Sequence, residues 1–481
     1  MVNDLITVPS YILGEERMSP KHLRRIISGI SGKPMLEVHD VDKWGLVSAI
    51  KTASKTQHQL ENIPLEKIIG VLSRSVDYYF DDDSKYNVIV SLTGSPITFV
   101  REGTKFVKDW CKDLNPYLSL ALEGNNVYFR NSAPVVAILP SNSEQEVPYV
   151  LAQTLLSRNA TIIRPSSLGA SSYSVFEFVS ALNKGIDKTN DPSLEPLRSA
   201  ISVINTQSRD YLDSLSIDGW NYIFFGDNFT VKEIEANIRE KCSPRKIISY
   251  GTGLSMSVIL DDSNLDETIR NIMESVIVNV GNECTSTDVV YVKNEMYDVV
   301  LRRLQQEAEK YRSGNPFDPR TIGLVEQNNV DYITGELLKR GKLEFLKSSD
   351  VELSDLSKNS TDLFDVQPYE KRRLIHTSVV PLSKYETAME YPGPIVSVRP
   401  FTDMEELREI IEKDLRDNGM EKNLVTSVFT EDEKSFYSVL PLLRSHTVKL
   451  NKPTHDFNIL LPHQGVYIVR ELSNPVFIDK A

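Results

Sequence analysis

The sequence predicts an α/β protein with an open, mostly parallel sheet in its first half and a second α/β unit after it. Three observations carry this. Between residues 135 and 250, short apolar runs recur with helical material between them, the order expected of parallel strands joined by crossover helices. The same rhythm restarts near Gly251. With 481 residues, 40% of them hydrophobic and 25% charged, the chain is long enough for two or three domains and a large core.

Taken in order, residues 1–110 read as mostly helical, with segments at Lys43–Leu60 and 65–80 and a break at Asp81-Asp82-Asp83-Ser84. Residues 135–139 form a buried strand, Pro140-Ser141-Asn142 a turn, and Ser143 with Glu146 a capping box. Val147, Val150, Leu151 and Leu155 then share one helical face. Strands follow at 161–164, 202–205, 222–225 and 246–249. The second unit has a strand at 255–260, a helix at 264–280, a strand at 288–292 and a helix at 294–311. Residues 341–373, charged and serine-rich without a period, make a surface excursion. Residues 126–130 and 465–469 alternate as exposed strands do. Unpaired edges of that kind need covering by another chain, so a homo-oligomer is expected.

A net charge of −13 argues against a nucleic-acid partner, and Lys371-Arg372-Arg373 and His22-Leu23-Arg24-Arg25 are short clusters for solvated faces. No run approaches the roughly 18 apolar residues of a membrane span, and the start Met1-Val2-Asn3-Asp4 lacks the pattern of a secretory leader. Cys111, Cys242 and Cys284 lie too far apart for a disulfide framework or a metal pair. A reduced, cytoplasmic protein without a metal site is the expectation.

Cys284 is the most informative residue. It sits in Val278-Asn279-Val280-Gly281-Asn282-Glu283-Cys284-Thr285-Ser286, between a helical pattern and a β-rich run. A thiol at such a junction can be exposed and reactive, whereas most cysteines are small buried hydrophobes. Cys111 beside Trp110, and Cys242 at a helix end, take the second reading.

Five motifs in order give Cys284 its context: Leu139-Pro140-Ser141-Asn142, Ile163-Arg164-Pro165-Ser166-Ser167, Phe225-Gly226-Asp227, Gly281-Asn282-Glu283-Cys284 and Glu390-Tyr391-Pro392-Gly393-Pro394. Together they resemble the aldehyde dehydrogenase superfamily's Pro-Trp-Asn turn, Lys-Pro-Ser-Glu strand, phosphate turn, Gly-Gln-x-Cys nucleophile segment and Glu-x-x-Gly-Pro segment. The resemblance implies five parts: a helical N-terminal portion (1–117), an oligomerisation β segment (118–134), a Rossmann-like NAD(P) domain (135–250), a catalytic domain (251–446) and a C-terminal return with a second oligomerisation strand (447–481). The long N-terminal part, the cysteine position and the ending Pro462-His463-Gln464-Gly465 look most like the bacterial long-chain acyl-CoA reductase branch, which supplies fatty aldehyde for bioluminescence.

That resemblance implies an acyl-Cys284 intermediate, formed when the thiolate attacks a thioester and CoA departs. The side chain of Asn142 and the backbone N–H of Cys284 would hold the oxyanion; otherwise Asn142 is a turn residue. Hydrolytic members place a glutamate base in a Glu-Leu-Gly-Gly segment. The counterpart Ile248-Ser249-Tyr250-Gly251-Thr252-Gly253 has no carboxylate, which favours acyl-thioester reduction over aldehyde-to-acid oxidation unless Glu283 or Glu390 serves as the base.

For the cofactor, the resemblance places Leu139, Pro140, Ser141, Arg164, Ser166, Ser167, Gly226 and Asp227 around the dinucleotide, with Glu390 on the nicotinamide ribose. Ser167 replaces a glutamate that would repel a 2′-phosphate, and Arg164 offers a cation to pair with it, so NADPH is preferred to NADH. Arg164 can instead bridge at the sheet edge, Asp227 can cap the following helix, and Phe401 can pack on the nicotinamide ribose or fill core. One of His455 and His463 could protonate the aldehyde oxygen or the leaving thiol. The acyl donor would be an acyl-CoA, a carrier-bound thioester or a partner acyl-enzyme. Alternatives are an ordinary oxidative aldehyde dehydrogenase, an acyl-phosphate reductase, and a catalytically weak scaffold.

Overall fold

The computed structural model describes residues 5–19, 21–122, 127–140, 146–166, 170–206, 210–262, 264–352, 356 and 371–478. The chain opens on strands: β1 (Ile6–Val8), β2 (Ser10–Ile12), β3 (Glu15–Arg17), β4 (Leu23–Ile27) and β5 (Pro34–His39). This corrects the mostly helical reading of the first 110 residues. Runs of three residues, as in β1, β2 and β3, are too brief for a two-residue period to show in sequence. Helices α1 (Lys43–Leu60), α2 (Leu65–Ser75), α3 (Asp83–Thr93), α4 (Ile97–Lys112) and α5 (Asn115–Ala121) follow. The first starts where predicted, because Asp42 accepts the Gly45 N–H at 2.7 Å and caps it.

Next come β6 (Val127–Asn131), β7 (Val135–Ile138), α6 (Glu146–Leu156), β8 (Thr161–Arg164), α7 (Ser171–Thr189), β9 (Ile201–Val203), α8 (Asp210–Ser214), β10 (Asn221–Phe225), α9 (Asn228–Lys241) and β11 (Lys246–Tyr250). Val147, Val150, Leu151 and Leu155 are all buried, as their shared face requires. Among the described residues one sheet runs β11-β10-β7-β8-β9-β2-β3. Its first five strands are parallel, and β2 and β3 add an antiparallel edge. From β7 the chain winds one way through β8 and β9, then returns to place β10 on the other side. The crevice outside the carboxyl ends of β7 and β10 is therefore the switch point where such sheets bind ligands.

The second unit comprises β12 (Ser255–Ile259), α10 (Leu265–Ile277), β13 (Thr287–Lys293), α11 (Tyr297–Ala308), α12 (Gln327–Lys339), β14 (Ser348–Glu352), β15 (Lys371–Ile375), β16 (Ser378–Pro381), β17 (Ile395–Phe401), α13 (Met404–Asp417), β18 (Asn423–Phe429), α14 (Glu433–Val439) and β19 (Ser445–Leu450). Its sheet, β16-β17-β13-β12-β18-β19, is parallel throughout. Successive residues of β13 feed two cores, Val289 and Tyr291 on one face, Val290 and Val292 on the other. The surface excursion is a hairpin of β14 and β15.

Residues 465–469 are not a strand. Ile468 and Val469 begin α15 (Ile468–Glu471), where both are fully buried in the first unit's core. Side-by-side burial suits a helix turn and not strand alternation. The strand comes later, β20 (Ser473–Phe477), pairing antiparallel with β6 as a two-stranded ribbon. No helix among the described residues is long and apolar enough to cross a membrane.

Candidate active site

Neighbouring parallel strands bring the segments that enter them side by side. Because β17, β13 and β12 are adjacent, residues 390–394, 279–286 and 251–254 converge at one end of the second sheet. Two glycines show how closely. A methyl group on Gly281 would strike the Gly393 carbonyl, and one on Gly253 would strike the carbonyl of Cys284. Both positions must lack a Cβ for the three segments to meet.

The backbone before the nucleophile is left-handed at three successive residues: Asn279 (φ 44°), Val280 (φ 59°) and Gly281 (φ 73°). A β-branched residue such as Val280 is strained there, at a cost of about 1–3 kcal/mol. Hydrogen bonds hold the turn. Asn279 Nδ2 donates to Glu283 Oε1 at 2.8 Å, and the Ser286 N–H donates to the Glu283 carbonyl at 2.9 Å. Cys284 itself is half-buried, while Cys111 is fully buried with its thiol pushed up to about 12 by desolvation. Cys242 lies 3.7 Å from the Tyr222 hydroxyl. Only Cys284 combines access with this setting.

Glu390 turns its carboxyl inward. It accepts from the backbone N–H groups of Leu254 and Gly253 and from the Thr252 hydroxyl, and its buried Oε2 has no hydrogen-bond partner among the described residues. Burial pushes this group up to about 7 against those bonds. Asp288 lies close by, accepting the Ser255 N–H at 2.7 Å, and is raised by burial and then by the Glu390 charge. Glu390, more than 130 positions away, thus sits beside a 248–253 segment that has no carboxylate of its own. Glu283 is held by Asn279 instead. Within the 248–253 segment Tyr250 is buried and stacks on Phe225 with ring centroids 4.6 Å apart.

The first sheet's carboxyl ends abut this assembly. Asn228, just beyond β10, donates from Nδ2 to Thr252 Oγ1 at 2.7 Å, and the Gly226 N–H donates to the Tyr250 carbonyl at 3.1 Å. Arg164 Nη2 donates to the Thr206 carbonyl at 3.2 Å, which ties the ends of β8 and β9. The Ser166 N–H bonds Ser171 Oγ at 2.8 Å. Pro140 stands half-buried at the end of β7. The Leu139 side chain belongs to the core, and its N–H donates to the Arg164 carbonyl at 3.1 Å. Asn142, Ser141 and Ser167 lie outside the described residues.

Two open alternatives are decided in favour of the non-binding role. Phe401 fills the second core, 1% exposed at the end of a strand buried on both faces, and does not reach the crevice. Asp227 caps α9, accepting the N–H groups of Phe229 and Thr230 at 3.0 and 2.9 Å. These bonds outweigh partial burial and keep its carboxyl below the usual range. They also occupy the donors a pyrophosphate would use. A cleft of about 220 Å³ lies between α8 and the later turns of α9, lined by Leu212, Glu233, Ile234, Asn237 and Ile238 and bridged by an ion pair between Lys241 and Asp213; it is set back from the carboxyl ends of the strands. No sequence motif marked it.

His455 and His463 are both half-buried, and desolvation lowers each to about 4, so each is a neutral imidazole near neutral pH. His463 lies among Tyr149, Tyr250 and Phe457. No group of three or more potential metal ligands occurs among the described residues.

The model of the aldehyde dehydrogenase family matches residues 17–467. An aldehyde dehydrogenase of Enchytraeus buchholzi is 27% identical over 235 residues, which is 49% of this chain and 44% of that protein. A Saccharomyces cerevisiae NAD(P)+ aldehyde dehydrogenase is 26% identical over 219 residues, 44% and 40% respectively. The matched stretches thus span less than half of these relatives' length. Among solved structures, a salicylaldehyde dehydrogenase of Pseudomonas putida superposes with a TM-score of 0.80 at 14% identity, covering 98% of both chains. A glyceraldehyde-3-phosphate dehydrogenase of Bacillus halodurans, complexed with NADP, gives 0.76 at 18%, again over 98% of both. These likenesses show the fold.

Proposed function

Because this chain belongs to the aldehyde dehydrogenase family, we propose that it is an NAD(P)-dependent oxidoreductase of aldehydes and acyl groups, working in the direction of acyl-thioester reduction. One observation carries the direction. The 248–253 segment holds no carboxylate, and Tyr250 is packed into the core there, so no base of the family's usual kind stands ready to activate water. An acyl-enzyme without an activated water persists long enough to be reduced.

The chain's own residues then act as follows. The Cys284 thiolate attacks the thioester carbonyl, the C–S bond to the donor breaks, and the acyl group remains on Sγ. The Cys284 N–H and Asn142 hold the oxyanion. A bound nicotinamide cofactor supplies the hydride. The resulting oxyanion collapses, the bond to Sγ breaks, and aldehyde leaves with Cys284 again a thiolate. For the cofactor we favour NADPH. Arg164 stands at the carboxyl end of β8, beside the crevice, and a solved neighbour is a complex with NADP. Acyl-CoA, a carrier thioester or an acyl-transferring partner enzyme would each present the required bond. The exposed β6–β20 ribbon, with Tyr128 and Phe477 outward, fits a homo-oligomer contact.

A second reading has its own support. Glu390, half-buried and raised to about 7, lies on the Gly253 amide that touches Cys284, where a base for hydrolysis could operate. The protein would then oxidise aldehyde to acid. Incubation with radiolabelled acyl-CoA tests the first reading: label should stay on the wild type and be absent from Cys284→Ala. Robust NADP-linked acid formation from free aldehyde without CoA, and no thioester reduction, would favour the second.

A further inference from the structure

We propose that Ser255 and Thr454 are positioning residues that preorganise the Cys284 backbone N–H as an oxyanion donor, an inference resting on the acyl-Cys284 reading above. Three successive carbonyls around the nucleophile are each tied to a different element. The Glu283 carbonyl accepts from the Ser286 N–H at 2.9 Å. The Cys284 carbonyl accepts from Ser255 Oγ at 2.8 Å. The Thr285 carbonyl accepts from Thr454 Oγ1 at 2.7 Å. In a trans peptide the N–H points opposite to the preceding carbonyl, so fixing Glu283 C=O aims the Cys284 N–H away from Ser286. Fixing the next two carbonyls stops that plane from rotating.

The hydrogen-bond directions are determined. Thr454 Oγ1 has one proton and gives it to Thr285, so the 2.9 Å contact with Thr287 Oγ1 is donated by Thr287. Ser275 Oγ donates to the Asn271 carbonyl at 3.0 Å and accepts the Thr454 N–H at 2.9 Å. Its 3.0 Å contact with His455 Nδ1 is therefore donated by the imidazole, so His455 is the Nδ1–H tautomer. Lys449 Nζ grips the same loop, donating to the carbonyls of Thr454 and Asp456 at 2.6 Å each. Ser255 and Thr454 are both fully buried, so neither hydroxyl is free to exchange its partner for water. A loop after β19 is thereby locked onto the turn that carries the thiol. The strained run at 279–281 would otherwise be free to relax.

Two reagents that both attack Cys284 separate positioning from simple damage. Acylation by p-nitrophenyl acetate passes through an oxyanion, whereas alkylation by iodoacetamide does not. Thr454→Val, which keeps the shape and loses the donor, should slow the acylation burst about ten- to hundredfold and leave alkylation within about twofold. Thr454→Ser should restore the burst, and Ser255→Ala should resemble Thr454→Val. The proposal is overturned if Thr454→Val acylates at the wild-type rate, if alkylation falls in step with acylation, or if Thr454→Ser fails to restore it. Cys284→Ala reports on the parent reading separately. If it still shows a burst, the acyl-Cys284 reading fails whatever the threonine variants do. If it shows none while Thr454→Val acylates normally, only the clamp fails.

Discussion

Replacing Glu390 by glutamine should change how stability depends on pH. Burial raises this carboxyl from an ordinary 4.5 to about 7. Between those values the folded protein keeps a proton that the unfolded chain has released. The unfolded state then binds fewer protons, and stability falls as pH rises. A tenfold difference in proton affinity between the two states is worth about 1.4 kcal/mol, so the full loss is about 3 kcal/mol once the pH exceeds 7. The residue is half-buried but its Oε2 is out of solvent, so the figure is an upper bound of that order. Glutamine keeps the shape and the acceptor for the Gly253 and Leu254 amides but does not titrate. Urea unfolding of both proteins at about pH 5 and about pH 8.5 should show E390Q gaining about 2–3 kcal/mol on the wild type between the two conditions. Parallel pH dependences would mean that Glu390 is not held neutral in the folded state, and the description of its burial would be wrong.

Other outcomes follow from named contacts. Gly253→Ala should displace the Cys284 carbonyl and reduce turnover by well over tenfold, measured against unchanged secondary structure by circular dichroism. Gly281→Ala, which adds a left-handed alanine to a collision with Gly393, should cost several kcal/mol and lower the yield of folded protein. Arg164→Ala should weaken NADPH about ten- to hundredfold by calorimetry, the value of one charge-assisted bond, and weaken NADH much less. Ser167→Glu should shift preference toward NADH; parallel losses for both cofactors would make Arg164 a strut between β8 and β9 only.

Much of the fold is legible because it is written locally. The α1 helix begins and ends where its pattern and the Asp42 cap place it, and the β7–β11 strands lie within a residue or two of expectation. Local signals fail where elements are short or buried on both sides. β1, β2 and β3 escape notice for the first reason, whereas β4 buries Arg24 and exposes Leu23 and Ile27, which inverts the pattern a strand is recognised by. The two readings of Phe401 stay open in sequence for the second reason: β17 is buried along nearly its whole length, so nothing in its pattern says which residue faces a crevice. The site shows the same division. The Cys284 segment, the two glycines and the Glu390 motif can be read directly. The meeting of Glu390 with Gly253, and of Thr454 with Thr285, joins residues more than 130 positions apart through sheet topology. No periodicity encodes such contacts. The helix cap at Asp227 competes with phosphate binding, and only the hydrogen-bond geometry shows to which use the carboxylate is put.

The left-handed run at Asn279, Val280 and Gly281 also bears on how this protein would lose activity. Strain concentrated in a few residues is released when the contacts opposing it weaken, which need not await collapse of either core. The turn carrying the thiol is therefore expected to open when the Ser255 and Thr454 contacts weaken, ahead of global unfolding. Mild denaturant or moderate warmth should silence the enzyme while the sheets stay intact, and cooling or dilution should revive it. An inactivation midpoint well below the unfolding midpoint would then be a property of the working protein, not a sign of a damaged preparation.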